Sequence, residues 1–228
     1  MVKPTDLKRD IYYKRAKLEG YRSRSAFKLL QISNKFEIIR RNNLVVDLGA
    51  APGGWSQVAK GLAGDSGLVI SVDLQPMEKI ADVVILESDI RKERETLEAI
   101  TEVLQLKGKE LVDAVISDAS PQLSGNRDYD QFRSFELSTS ALNIASTLLK
   151  HDGNFVAKIF QGAYYNQLYM RVKEKFRYAR AYSPAASRKK SAEVYVIGKG
   201  YISQNYSYAS TSISPNEEII GNKKGDMA

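Results

Sequence analysis

VVDLGAAPGGWSQ, residues 45–57, sets the reading of the whole chain. A short apolar run opened by Leu44 carries one acid, Asp47, and closes on Gly49. Two alanines, Pro52, Gly53, Gly54 and the chain's single tryptophan, Trp55, follow at once. An apolar run stopped by glycine reads as a buried strand, and GGWSQVAKGLAG reads as the helix that returns along it, with Gly61 and Gly64 near its end.

The same alternation continues outward. GLVISVDLQP is a second strand stopped by Pro76, and DVVILESDI is a third that closes on Asp89. RKERETLEAITEVLQLKGK carries Leu97, Ile100 and Leu104 at helical spacing. LVDAVISDASP is a fourth strand, and DQFRSFELSTSALNIASTLLKHDG a long helix closing at Gly153. NFVAKIFQG, YYNQLYMRVKEKF, ARAYSP and SAEVYVIGKGY follow as strand, helix, strand and strand. Before the opening stretch, SRSAFKLLQISNKF offers Ser25 as an N-cap and a helix ending at Asn34. Strands alternating with helices predict an α/β fold, a parallel sheet covered on both faces. The chain divides into a basic arm over residues 1–24, one domain over 25–201 and a polar tail over 202–228.

Composition narrows the chemistry. The 228 residues, 43% of them hydrophobic, suffice for one full-sized α/β domain. No apolar run reaches the roughly 18–20 residues that span a bilayer, and the N-terminus lacks the apolar centre of a secretory signal. A cytoplasmic location is therefore expected, with no membrane contact. There is no cysteine, which removes disulfides, thiolate nucleophiles and thiolate zinc sites. The single histidine, His151, sits in the turn LLKHDGNF and is expected at the surface, so no metal site is expected. The net charge of +7 favours a polyanionic partner. Between Lys3 and Lys28 the chain sets nine cations against Asp6, Asp10 and Glu19, with Tyr12, Tyr13 and Tyr21 interleaved. That mixture suits a solvated leader or a surface on which unpaired bases stack.

The turn after the first strand lies where doubly wound sheets bind ligands. It can serve NAD, FAD, S-adenosylmethionine or a tight crossover alone. GAAPGG departs from G-x-G-x-x-G, Pro52 lacks an amide that a pyrophosphate would use, and no G-K-[ST] follows. Asp47 repels phosphates and attracts an ammonium. Asp73 and Asp89 close the next two strands, where they can accept from ribose hydroxyls and an adenine amino group. Acids at successive strand ends favour a cationic nucleoside, S-adenosylmethionine, over a dinucleotide.

A second group of polar residues needs explaining. Asp118 ends the fourth strand, Lys158 interrupts an apolar fifth strand, and Glu193 opens the last. An unpaired lysine in a buried strand is costly, so either Lys158 lies on an edge facing water or it meets Asp118 and Glu193, with Lys28 reaching in.

In these residues the chain resembles the FtsJ/RrmJ family of S-adenosylmethionine-dependent RNA 2'-O-methyltransferases. GYRSRSAFKL, VVDLGAAPGGWSQV, SDASPQLSG, VAKIFQG and SRKKSAEVYVIG all resemble its motifs, in the family's order, from about Asp10 to about Gly200. The resemblance implies a Rossmann-like sheet of seven strands with the last antiparallel, and a catalytic tetrad Lys28, Asp118, Lys158 and Glu193, with Lys158 as proton acceptor. Cofactor contacts are expected from Asp47, Gly49, Pro52, Gly53, Trp55, Asp73, Asp89 and Asp118. RNA contacts are expected from Lys14, Arg15, Arg22, Arg24, Arg188, Lys189 and Lys190. A uridine of large-subunit ribosomal RNA is the expected target and ribosomal RNA or the large ribosomal subunit the expected partner, with the protein a monomer. A tRNA anticodon loop is the alternative within the family. A non-catalytic RNA-binding protein is the alternative outside it, disfavoured by the intact tetrad. A dehydrogenase is disfavoured by the Pro52 loop.

Overall fold

The computed structural model describes residues 11–188 and 191–202. Two helices come first, α1 (Ile11–Leu18) and α2 (Ala26–Phe36). The alternating part then runs β1 (Leu44–Leu48), α3 (Gly54–Ala63), β2 (Leu68–Asp73), β3 (Val83–Glu87), α4 (Glu93–Leu106) and β4 (Val112–Ser117). It continues through α5 (Arg127–Leu148), β5 (Leu149–Phe160), α6 (Tyr165–Lys175), β6 (Phe176–Tyr182) and β7 (Glu193–Tyr201).

The seven strands form one sheet in the order β3-β2-β1-β4-β5-β7-β6. All are parallel except β7, which inserts between β5 and β6 and runs antiparallel to both. The chain reverses its direction of winding between β1 and β4, so the carboxyl ends of these strands open the crevice where ligands bind in such sheets.

Each face of the sheet has its own core, because successive strand residues point to opposite sides. Helices α4, α5 and α6 pack Ile100, Leu142 and Leu168 against Val46, Ile70, Val115 and Phe155. On the other face, α2 and α3 pack Leu29, Ile32 and Trp55 against Val45, Ala114, Val156 and Ile197. Strands buried on both sides are mostly apolar, hence their Val- and Ile-rich runs, and the polar Asp47, Ser71 and Lys158 within them are exceptions.

Three boundaries differ from the sequence reading. Ser25 precedes α2 but its hydroxyl pairs with Ser23 Oγ at 2.7 Å and caps no amide, and α2 continues past Asn34 to Phe36. Helix α5 begins at Arg127, ahead of the expected Asp130, because the Asn126 side chain accepts from the Asp128 and Tyr129 amides at 3.1 and 3.2 Å. It also stops at Leu148 rather than Gly153. Leu149 turns extended to pair beside Val112, and the register then jumps so that Asn154 faces Ala114. The residues between bulge outward, with Asp152 at a φ of 67°.

Residues 11–24, expected as an arm, are packed against the domain. Ala16, Phe27 and Ala186 form a small third core with Tyr12, Tyr21 and Leu30 around it. Gln31 ties it together, donating to Tyr12 Oη at 3.2 Å and accepting from the Ala186 amide at 3.0 Å.

Candidate active site

A cavity of about 660 Å³ opens at the carboxyl ends of β1, β2 and β4, with Gly49, Asp73, Asp89, Asp118 and Arg91 in its wall. Gly49 sits at a φ of 74°, and a Cβ there would come within 2.5 Å of Ala119 Cβ, so only glycine lets the loop lie this close to β4. Asp73 fixes the loop from the second strand end. Its Oδ2 accepts from the Ala51 amide and its Oδ1 from the Gln75 amide, both at 2.8 Å. Asp89 is gripped by its neighbour Arg91, whose Nε and Nη2 donate to Oδ1 and Oδ2 at 2.9 and 2.5 Å. That hydrogen bond, ahead of the opposing effect of burial, holds the Asp89 carboxyl below its ordinary range. Arg133, the other cation of the wall, pairs with Glu136. The carboxylates of Asp73 and Asp118 thus give the cavity an acidic character that repels phosphates and fits a nucleoside bearing an ammonium and a sulfonium.

Four of the expected cofactor contacts lie elsewhere. Asp47 is fully buried beneath the loop on the α3 side, because its position in β1 alternates with Val46 and Leu48. It accepts from Ser56 Oγ at 2.7 Å, Ser56 accepts from Ser71 Oγ at 2.8 Å, and Asp47 Oδ1 has no partner. Burial, with Asp118 and Asp73 nearby adding to it against the Ser56 hydrogen bond, raises its pKa to about 7. Trp55 is buried too, stacked on Tyr195 at 5.6 Å with its Nε1 donating to Ser25 O at 2.9 Å. Pro52 presents its carbonyl to Arg22, and Gly53 at a φ of 108° lies against Ile80 and Arg22. These residues shape the loop from behind. Gly49, Asp73, Asp89 and Asp118 face the cavity.

Asp118 also belongs to a second arrangement, on the sheet face covered by α2. Lys158 comes from the carboxyl end of β5 and Glu193 from the start of β7, which pairs Glu193 with Phe160. Lys28 descends from the first turn of α2. Its Nζ meets Glu193 Oε2 at 2.8 Å. Lys158 Nζ donates to the Asp118 carbonyl at 2.8 Å, stands 3.2 Å from Asp118 Oδ1 and 3.9 Å from Glu193 Oε1. Both lysines are buried, 8% and 5% exposed, so neither is the edge lysine facing water that the sequence left open. Burial would lift the Glu193 carboxyl, but Lys28 and Lys158 outweigh it and hold the group below its ordinary range, hence charged. All four residues named from the sequence therefore meet in one chain of ion pairs, of which Asp118 alone also lines the cavity.

The chain is similar in sequence and fold to known proteins. The sequence profile of the family described as FtsJ-like methyltransferase matches residues 21–201. The chain belongs to that family. Among curated relatives, the ribosomal RNA large subunit methyltransferase E of Methanothrix thermoacetophila is 53% identical over 195 residues, covering 86% of this chain and 74% of the relative. The protein of the same name from Archaeoglobus fulgidus is 46% identical over 194 residues, covering 85% and 97%. A solved structure described as a ribosomal RNA methyltransferase of Plasmodium falciparum superposes with a TM-score of 0.70 at 26% identity, covering 81% of this chain and all of that one.

Within this methyltransferase scaffold, sequence reasoning missed Tyr195. Its hydroxyl donates to Asp118 Oδ1 at 2.7 Å, and Lys28 Nζ lies 5.7 Å from its ring centre. Burial first, then the Asp118 and Glu193 carboxylates, hold this phenol far above its ordinary pKa, so it stays a donor. The signal was present: Tyr195 is two residues beyond Glu193 on one strand and so shares its face.

The cations expected on RNA are placed unevenly. Lys14 is exposed on α1, and Arg188 is exposed beyond β6. Arg15 pairs with Glu19 at 2.8 Å and its guanidinium covers the Phe27 ring at 4.5 Å. Arg24 reaches the Ala186 carbonyl and is half-buried; burial, then Arg188, lowers its pKa. Arg22 is a clamp: its guanidinium donates to the carbonyls of Pro52, Glu78 and Lys79 at 3.2, 2.7 and 2.9 Å, tying the first segment to the loop behind Gly53. Lys189 and Lys190 lie outside the described residues.

Proposed function

We propose that this chain methylates a ribose 2'-oxygen of large-subunit ribosomal RNA, on a uridine, using S-adenosylmethionine. The observation that carries the reading is the buried Lys28–Glu193–Lys158–Asp118 chain beside an acidic cavity. The close relatives named as ribosomal RNA large subunit methyltransferase E support the choice of RNA.

Asp73 and Asp89 would hold the ribose and base of the cofactor, and Asp118 its sulfonium end. When bound, the cofactor supplies a methyl group on a positively charged sulfur. The protein's own work is to align a ribose hydroxyl with that methyl and take one proton. Lys158 Nζ, held by the Asp118 carbonyl and Oδ1, would take the 2'-hydroxyl proton once its own third proton has left to solvent. Tyr195 fixes Asp118 through its hydroxyl, and Glu193 holds the Lys28 ammonium at 2.8 Å. Lys28 stands where it opposes negative charge growing on the ribose oxygen.

The test is transfer of labelled methyl to ribosomal RNA followed by mapping of 2'-O-methylated nucleotides in total RNA. Lys158→Ala is expected to lower the turnover by about 10²–10⁴-fold, the range of a positioned general base. Transfer undiminished in Lys158→Ala, or label on a base instead of a ribose, overturns the reading.

A further inference from the structure

A second polar surface lies on the same sheet face as the tetrad, at the other end of β7. From Glu193 to Lys199 the strand runs about 20 Å. There Lys199 joins Lys35, Arg40, Arg177 and Tyr178 around a groove of about 530 Å³. Among the described residues no helix covers this corner, because α2 ends at Phe36 and β6 is the sheet's outermost strand.

Strand β6 connects the groove to the site. Its register sets Tyr182 beside Tyr195, Arg180 beside Ile197 and Tyr178 beside Lys199. Side chains two apart share a face, so Tyr182, Arg180 and Tyr178 form a row from the tetrad towards the groove. Tyr178 is 46% exposed and Arg180 is exposed. Lys35 Nζ lies 4.5 Å above the Tyr182 ring. Among the described residues no carboxylate forms an ion pair with Lys35, Arg180 or Lys199. Arg40 and Arg177 pair only with the exposed carboxylates of Glu37 and Asp152.

We infer that this face of β6, with the groove at its end, is an RNA-docking surface that holds single-stranded nucleotides leading away from the methylated one. The inference rests on the acceptor being RNA. A row of alternating aromatic and cationic side chains on an exposed strand offers stacking faces for bases and charge for phosphates, the combination that grips unpaired strands. Unpaired cations near one another are unfavourable until a polyanion neutralises them, so the charge fits such a partner.

The test compares the full chain with Arg180→Gln/Lys199→Gln and with Tyr178→Ala. Binding of protein-free large-subunit ribosomal RNA is measured across a salt series, alongside methyl transfer and thermal midpoint. Each lost single-strand phosphate contact lowers the slope of log K against log salt by about 0.7, so the double variant is expected to lose about 1.4. About ten-fold weaker binding is expected from either variant, through charge in one and stacking in the other. Their thermal midpoints and saturated turnover are expected to stay at the parent values. If the parent methylates RNA and both variants match its affinity and slope, the inference falls while the proposed function stands. If both variants bind RNA like the parent but lose affinity for whole large subunits, the surface meets protein, and the inference falls too. If the parent neither binds nor methylates RNA, the proposed function fails first.

Discussion

Asp47 illustrates how one strand position can support a loop from beneath. Its carboxyl is buried, and its Oδ1 lacks a partner. Its pKa of about 7 in the folded chain stands against about 3.9 when unfolded. The folded chain therefore keeps a proton that the unfolded chain has released. Its contribution to stability is complete below pH 4 and is lost as pH climbs through 7, over a span of roughly 4 kcal/mol at most. Asp47→Asn keeps an acceptor for Ser56 without the charge. Its thermal midpoint is expected to gain on the parent between pH 5 and pH 8, and a gap that does not change with pH would show that Asp47 is uncharged throughout. Tyr195 acts one step from the chemistry. Tyr195→Phe keeps the ring on Trp55 but removes the hydroxyl from Asp118, so kcat is expected to fall about ten-fold, the effect of one hydrogen bond to a charged group. KM for S-adenosylmethionine is expected to stay within two-fold; a raised KM at unchanged kcat would place Tyr195 in cofactor binding instead.

At the scale of elements, α1 is a docked helix held by few contacts. Eight residues cannot sustain a helix alone in water, so α1 depends on Tyr12, Ala16 and Tyr21 around Phe27. Phe27→Ala removes an aromatic that is 3% exposed, at a cost of about 3–5 kcal/mol if the site were a full core position. The expected outcome is faster hydrogen exchange confined to α1 and the turn at Gly20–Ser25, with β1, β4 and β5 still protected; uniform loss would mean that α1 folds with the sheet as one unit. The elements most legible in the sequence were those with strong periodicity. Runs such as LVVDL and LVISVD needed two covered faces and found them, and Asp73, which closes the second, lies in the cavity wall. What stayed hidden depended on partners distant in sequence. Leu149 suits a helix or a strand equally, and Val112 decides between them. Nothing in the segments of Arg22 and Trp55 announces Glu78 O, Lys79 O or Ser25 O as their partners. The tetrad was legible by its buried charges, whereas Tyr195, uncharged and hydrophobic in pattern, was passed over as core.

Across the whole molecule, the sheet divides its labour. The half from β3 to β4 presents the acidic cavity, and the half from β5 to β6 presents cations on the α2 face. Asp118, at the end of β4, stands on the line between them, within reach of both the acidic pocket and Lys158. The N-terminal segment holds much of the positive charge, although Arg22 and Arg24 turn inward to backbone carbonyls, and the β6–β7 corner adds a second cationic surface. The position of β7 has a consequence for how the protein comes into being. Lys28 and its partner Glu193 are separated by 165 residues, and β6 reaches the rest of the sheet only through β7. On a ribosome, six strands are translated before the one that joins β6 to the others and delivers Glu193 and Tyr195. A nascent chain can form the loop after β1 early, yet the buried ion-pair chain lacks Glu193 until its last strand slides into the gap. Synthesis order therefore leaves both buried lysines without the carboxylate they share until the whole sheet has been made.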